Sequence, residues 1–143
     1  MKYINILAGV LGLSLSLASL NTAAAEAPAA KERVVIQVSD ADTAKWNLAL
    51  NNAKNIQQAY GADKVDIEIV TYGPGIGMLK MDSVIANRID ESKQAGVAIV
   101  ACQNTMKNMK LTNDDMLTNT SYVPSGVVEI IKKQKAGYAY IRP

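Results

Sequence analysis

At 143 residues, with 49% hydrophobic and 20% charged side chains, the chain has the length of one domain and the composition of an ordinary globular protein. Its formal net charge is only +2, with acids and bases interleaved, so it carries no basic footprint for nucleic acid. Histidine is absent and cysteine occurs once, which excludes Ser-His and Cys-His catalysis, His-ligated zinc and an internal disulfide.

The amino terminus has the layout of a secretory signal peptide. Lys2 gives a positive start, Ile4 to Leu20 is almost wholly apolar, and Ala23-Ala24-Ala25 supplies a small-x-small cleavage site. The expectation is removal of residues 1–25, export to the periplasm and no stable membrane insertion afterwards. Residues 26–32, with Pro28 and three alanines, read as a short flexible leader, and the domain is expected to run from 33 to 143.

Arg33-Val34-Val35-Ile36-Gln37-Val38-Ser39 reads as a first strand, dominated by β-branched residues. Asp42 or Thr43 then offers a helix N-cap. Trp46, Ala49, Leu50, Ala53, Ile56 and Tyr60 recur at spacings of three and four, predicting an amphipathic helix closed by Gly61. Asp66 to Thr71 alternates at first and then turns apolar, as expected for a strand near a sheet edge or a partner. Tyr72 to Gly77 reads as a Gly/Pro-rich loop. A second helix is expected from Met78 or Asp82 to Ala95, with Met81, Val84, Ile85 and Ile89 on its buried face and Gly96 as its stop.

Val97 to Cys102 is an unbroken apolar run ending on the single cysteine, which predicts a strand buried on both faces. Asn104 to Met109 looks like a short helical turn, and Thr112-Asn113-Asp114-Asp115 like a capping box. Tyr122-Val123 is a brief fourth strand. Pro124-Ser125-Gly126 leads into a helix through Val127, Val128, Ile130 and Ile131, whose last turn carries Lys132, Lys133 and Lys135 as a solvated basic cluster. Tyr138 to Ile141 closes the chain as a last strand. Strand and helix alternate throughout, which predicts an α/β fold with a mainly parallel five-stranded sheet and helices on both faces.

In sheets of this class sites form outside the carboxyl ends of the strands. Four segments qualify: Asp40–Asp42, Tyr72–Gly77, Cys102–Thr105 and Pro124–Gly126. Cys102 is a buried small hydrophobe, an intermolecular partner or a reactive thiol; a thiol that precedes a helical turn meets unpaired amides that favour thiolate. Asn104 and Thr105 either cap that turn or hold an anionic sulfur. The glycines at 73, 75 and 77 lack the spacing of a dinucleotide fingerprint and suit a close backbone approach to a ligand or neighbouring subunit. Met78/Met81 and Met106/Met109, with Cys102, offer soft ligands for monovalent copper or simply fill core. No function attaches to the sequon Asn119-Thr120-Ser121.

Four motifs fall in one order: Tyr-Gly-Pro-Gly (72–75), Ala-Cys-x-Asn-Thr (101–105), Val-Pro-Ser-Gly-Val-Val-Glu-Ile-Ile (123–131) and Gly-Tyr-Ala-Tyr-Ile-Arg-Pro (137–143). In these the chain resembles the DsrE/DsrF-like proteins. The resemblance implies a three-layer α/β/α fold, homotrimers or homohexamers, and a cysteine, here Cys102, that accepts sulfane sulfur as a persulfide from a donor and passes it to an acceptor protein. It implies a sulfur carrier at most as the enzymatic role, with no cofactor and no metal. Asn104 and Thr105 would hold the anionic sulfur, and Tyr72, Gly73, Gly75 and Ser125 would shape the pocket. The reading of another class is a non-catalytic oligomeric module that binds a small ligand or partner at the same rim.

Overall fold

A computed structural model describes residues 30–143. The expected signal peptide and all but the end of the leader lie outside the described residues. Five strands, β1 (Glu32–Val38), β2 (Val65–Thr71), β3 (Ala98–Cys102), β4 (Ser121–Val123) and β5 (Ala139–Ile141), form one sheet in the order β4-β3-β2-β1-β5, with every neighbouring pair parallel. Four helices connect them: α1 (Thr43–Tyr60), α2 (Ala86–Gln94), α3 (Gln103–Asn108) and α4 (Gly126–Lys135). The α/β fold and five-stranded parallel sheet read from the sequence are therefore present.

Local chemistry sets the ends of α1. Asp42 is extended and its carboxylate accepts from the Ala44 N–H at 2.8 Å, while Gly61 closes the helix at φ +96, a region that L side chains avoid. The face carrying Trp46, Ala49, Leu50 and Ala53 is buried against Val34, Ile36, Val38, Ile67, Ile69 and Ile99, which point to one side of the sheet. Ile36 and Ile69 are fully buried, each worth about 1.5–3 kcal/mol of transfer free energy. Among the described residues α4 alone covers the other side, where Ile130 packs on Val35, Val70 and Val100.

Several expectations are corrected. β2 is the central strand, not an edge: its polar residue Glu68 is 8% exposed and bonded by Lys133 of α4 at 2.6 Å. That contact also draws Lys133 out of the solvated basic cluster. Gly73–Leu79 winds as a 3-10 helix instead of a loop, and α2 begins only at Ala86. Met81 and Val84, expected on its buried face, are 64% and 80% exposed. The backbone there pairs with a distant segment: Met81 N–H donates to the Asp115 carbonyl at 2.9 Å, and Leu117 N–H to the Leu79 carbonyl at 2.8 Å. Tyr60, placed on the apolar stripe of α1, is exposed.

Candidate functional site

Because all five strands are parallel, their carboxyl ends share one rim. Two adjacent strands there send the chain to opposite faces. After β3 the chain enters α3, whose Met106 joins the core on the α1 side; after β4 it enters α4 on the opposite side. In open parallel sheets such a divergence at the strand ends is the place where ligands bind. Cys102, the last residue of β3, stands at that divergence.

Cys102 is 4% exposed, and its sulfur lies among donors. Cys102 is the N-cap of α3, and the Thr105 N–H donates to its Sγ at 3.4 Å. The Thr105 hydroxyl lies on the side of the sulfur where it favours the thiolate, while its oxygen accepts the Gly73 N–H at 2.9 Å. The Gly73 amide thus fixes the hydroxyl of the residue whose own N–H bonds the thiol. Further N–H groups face the sulfur from Gly126, at the start of α4, and from Asn104. The Asn104 amide is also engaged by the Pro124 carbonyl at 3.2 Å, so it contributes least. Burial pushes the thiol up, but these donors together outweigh it and hold Cys102 below the ordinary thiol value.

Tyr72 lies beside this cluster, against the start of α4. Burial raises its phenol, with Tyr140 and Asp40 adding to the rise, against lowering by Arg142 and by a hydrogen bond with Ser39, so its hydroxyl keeps its proton at neutral pH. Its neighbour there is Gly126, where an added Cβ would sit 2.9 Å from the Tyr72 Cβ; only glycine lets the first turn of α4 come this near. Sequence reading missed the Gly126 amide as a sulfur donor. Its signal was a glycine placed two residues after Pro124 at the start of a helix.

The structure brings Cys102, Thr105, Gly73 and Tyr72 together and leaves other candidates apart. Asn104 is exposed, and its tie to this place is its main chain. Ser125 is half-buried at the head of α4 and its hydroxyl makes no cap bond. Gly75 is buried, and its close approach is to the chain's own β1: a Cβ there would meet the Val38 carbonyl oxygen at 2.3 Å, instead of the ligand or subunit expected from the loop. The methionine pairs are split. Met78 and Met106 are core residues, while Met81 and Met109 are exposed. Among the described residues no group of three or more Asp, Glu, Cys or His side chains could hold a metal ion.

The comparisons agree with this architecture. The model of the DsrE/DsrF-like family matches residues 32–143. The structure of a protein of unknown function, MTH1491 from Methanobacterium thermoautotrophicum, is similar at 34% identity and TM-score 0.75, over 79% of this chain and 100% of that one. That of a conserved protein of unknown function, BT1422 from Bacteroides thetaiotaomicron, is 18% identical with TM-score 0.63, over 78% of this chain and 95% of the other, and shares the fold. Nothing among curated proteins matches. A family match across the whole described sheet, joined to a solved relative at 34% identity, places the sequence: the chain belongs to the DsrE/DsrF-like family.

Proposed function

We propose that this protein is an exported, periplasmic sulfane-sulfur carrier in which Cys102 holds the transferred sulfur as a persulfide. Membership of the DsrE/DsrF-like family suggests sulfur relay at the level of the family. The observation that supports the specific reading is the ring of donors around Cys102: the Thr105 hydroxyl and amide and the amides of Gly126 and Asn104. A donor set of this kind favours thiolate over thiol, and thiolate is the nucleophile in sulfur exchange. The histidine-free composition fits, because exchange at a preformed thiolate needs no general base.

The step balances without an external oxidant. The Cys102 thiolate attacks the outer sulfur of a persulfide or of thiosulfate, a new S–S bond forms, the old one breaks, and the thiolate or sulfite leaves with the electron pair. The same amides that hold the thiolate then face the persulfide anion. Export is supported by Lys2, the apolar run Ile4 to Leu20 and Ala23–Ala25. The test is intact mass of the protein after incubation with polysulfide, or with thiosulfate. The expected result is a gain of one sulfur atom on Cys102 that a reductant removes and that Cys102→Ser abolishes. No gain, under conditions that load a free control thiol, overturns the proposal. Full biological activity of the Cys102→Ser protein would instead favour a binding module, a reading that the low exposure of the thiol supports.

A further inference from the structure

α4 meets the sheet along one stripe. Gly126, Ile130 and Lys133 recur at spacings of four and three, while Tyr72, Val70 and Glu68 alternate along β2 and the residue just past it, so each set shares a face. The two rows meet in reverse order. Gly126 lies against Tyr72, Ile130 packs on Val70, and the Lys133 Nζ reaches the Glu68 carboxylate at 2.6 Å. Helix and strand are therefore antiparallel in contact, with Lys133 about 10 Å from Gly126 along the helix axis.

These three contacts restrain α4 unequally. A glycine has no side chain to lock, and apolar packing of Ile130 on valines is non-directional. The bond from Lys133 to Glu68 has a direction, and its surroundings hold it: Glu129 is 3.8 Å from the same ammonium, the Tyr138 ring lies 4.9 Å away, and Arg33 stands over that ring at 5.7 Å. The outward residues Val127, Val128 and Ile131 are exposed, so nothing among the described residues presses α4 down from outside. At the near end the Pro124 carbonyl accepts the Asn104 N–H at 3.2 Å, which fixes where the helix starts and leaves its tilt to the far end. The N–H groups of a first turn point along the helix axis, so tilt decides how the Gly126 N–H meets the Cys102 sulfur.

We infer that Glu68 and Lys133 are positioning residues of the site: by pinning the far end of α4 they set the place of the Gly126 N–H over Cys102. With Ile130 as the pivot, four residues from Gly126 and three from Lys133, a displacement of about 1 Å at the pin moves the amide by about 1.3 Å. Direct action of the charges is small. Glu68 is in register with Ala98, four residues before Cys102 and so about 13 Å below it, and its charge is offset by that of Lys133. A buried ion pair adds little stability compared with well-packed apolar residues, but it holds one geometry. The inference rests on Cys102 being the reacting group of the proposed carrier. A thiol that alkylates as expected here and never takes up sulfur leaves it standing and overturns only the carrier reading.

The test is the pH profile of Cys102 alkylation by a soluble haloacetamide in Glu68→Leu/Lys133→Met, beside the melting temperature. The double variant is expected to melt close to the parent, yet to alkylate about tenfold more slowly at a pH below the midpoint, the effect of losing one hydrogen bond to the thiolate. Its Gly126 amide-proton resonance is expected to move upfield while that of Thr105 stays. Lys133→Gln, whose donor stops one atom short of Nζ, is expected to displace the profile in the same direction and serves if the double variant does not fold. Leu50→Ala, which loosens the core on the α1 side, is expected to melt lower with the parent's profile. A folded double variant, or a Lys133→Gln protein, that keeps the parent's profile overturns the inference, since the pair would then hold only the fold. A Leu50→Ala protein displaced as far as the double variant overturns it too, because the profile would report loosening of the whole domain.

Discussion

Replacing Thr105 by valine removes a hydroxyl and keeps the side chain's shape. In the native fold that hydroxyl accepts the Gly73 N–H at 2.9 Å and favours the thiolate form of Cys102. A hydrogen bond to a charged group is worth about 1.5–3 kcal/mol, and every ~1.4 kcal/mol is tenfold in an ionisation equilibrium. At pH values below the thiol's midpoint, the thiolate population of Thr105→Val therefore falls roughly ten- to a hundredfold. The Gly73 amide, left without its acceptor, costs a further ~1–3 kcal/mol of stability. The assay is the rate of Cys102 alkylation by a soluble haloacetamide across a pH series, read beside the melting temperature. Thr105→Ser serves as the rescue, restoring both quantities. A valine variant that melts lower yet alkylates with the parent's pH profile would refute the reasoning, because the hydroxyl would then hold only the Gly73 segment and the amides alone would set the thiol.

In the parent, alkylation is expected to rise through a midpoint below that of a free cysteine. A thiol whose folded value lies below its unfolded one adds stability that is full above the unfolded value and is lost as pH falls through the folded one, so Cys102→Ser is expected to narrow its stability gap from the parent on acidification. Gly75→Ala puts a methyl 2.3 Å from the Val38 carbonyl oxygen, a clash with backbone that cannot rotate away, and is expected to cost about 1–3 kcal/mol or more in denaturant titration. Lys133→Met strands Glu68, whose side chain is only 11% exposed and whose Oε1 already has no partner; removing one member of such a pair costs about 3–5 kcal/mol, and the double change Glu68→Leu/Lys133→Met is expected to recover most of it. A double variant no more stable than the single one would show that the loss came from packing and not from the unpaired charge.

How much of this was legible in the chain depended on how local the cause was. Asp42 caps its helix by a contact two residues away, and Thr112 and Asp115 make their capping box within one turn, so both were readable. Cys102 at a strand end followed from an apolar run that stops abruptly. The failures are contacts between distant segments. Glu68 made β2 look half-solvated because its partner Lys133 comes from α4, on the far side of the sequence. The apolar spacing of Met81, Val84, Ile85 and Ile89 imitates a helix, but pairing of residues 79–81 with 115–117 takes the backbone groups that a helix needs. Gly126 must be glycine because Tyr72, which follows β2, lies against it. A glycine's role there depends on a neighbour that its own surroundings in the sequence do not name.

Most of the groups that face the Cys102 sulfur are main-chain amides, supplied by residues 104, 105 and 126. An amide belongs to every residue except proline, so changes of letter at positions 104 and 105 trim the cage without deleting it. What preserves it is the route of the backbone: two neighbouring strands whose exits part company above one atom. Sequences that drift far apart within this architecture can therefore keep a seat for an anion at the same spot, and can gain or lose its chemistry by exchanging the single side chain that occupies it.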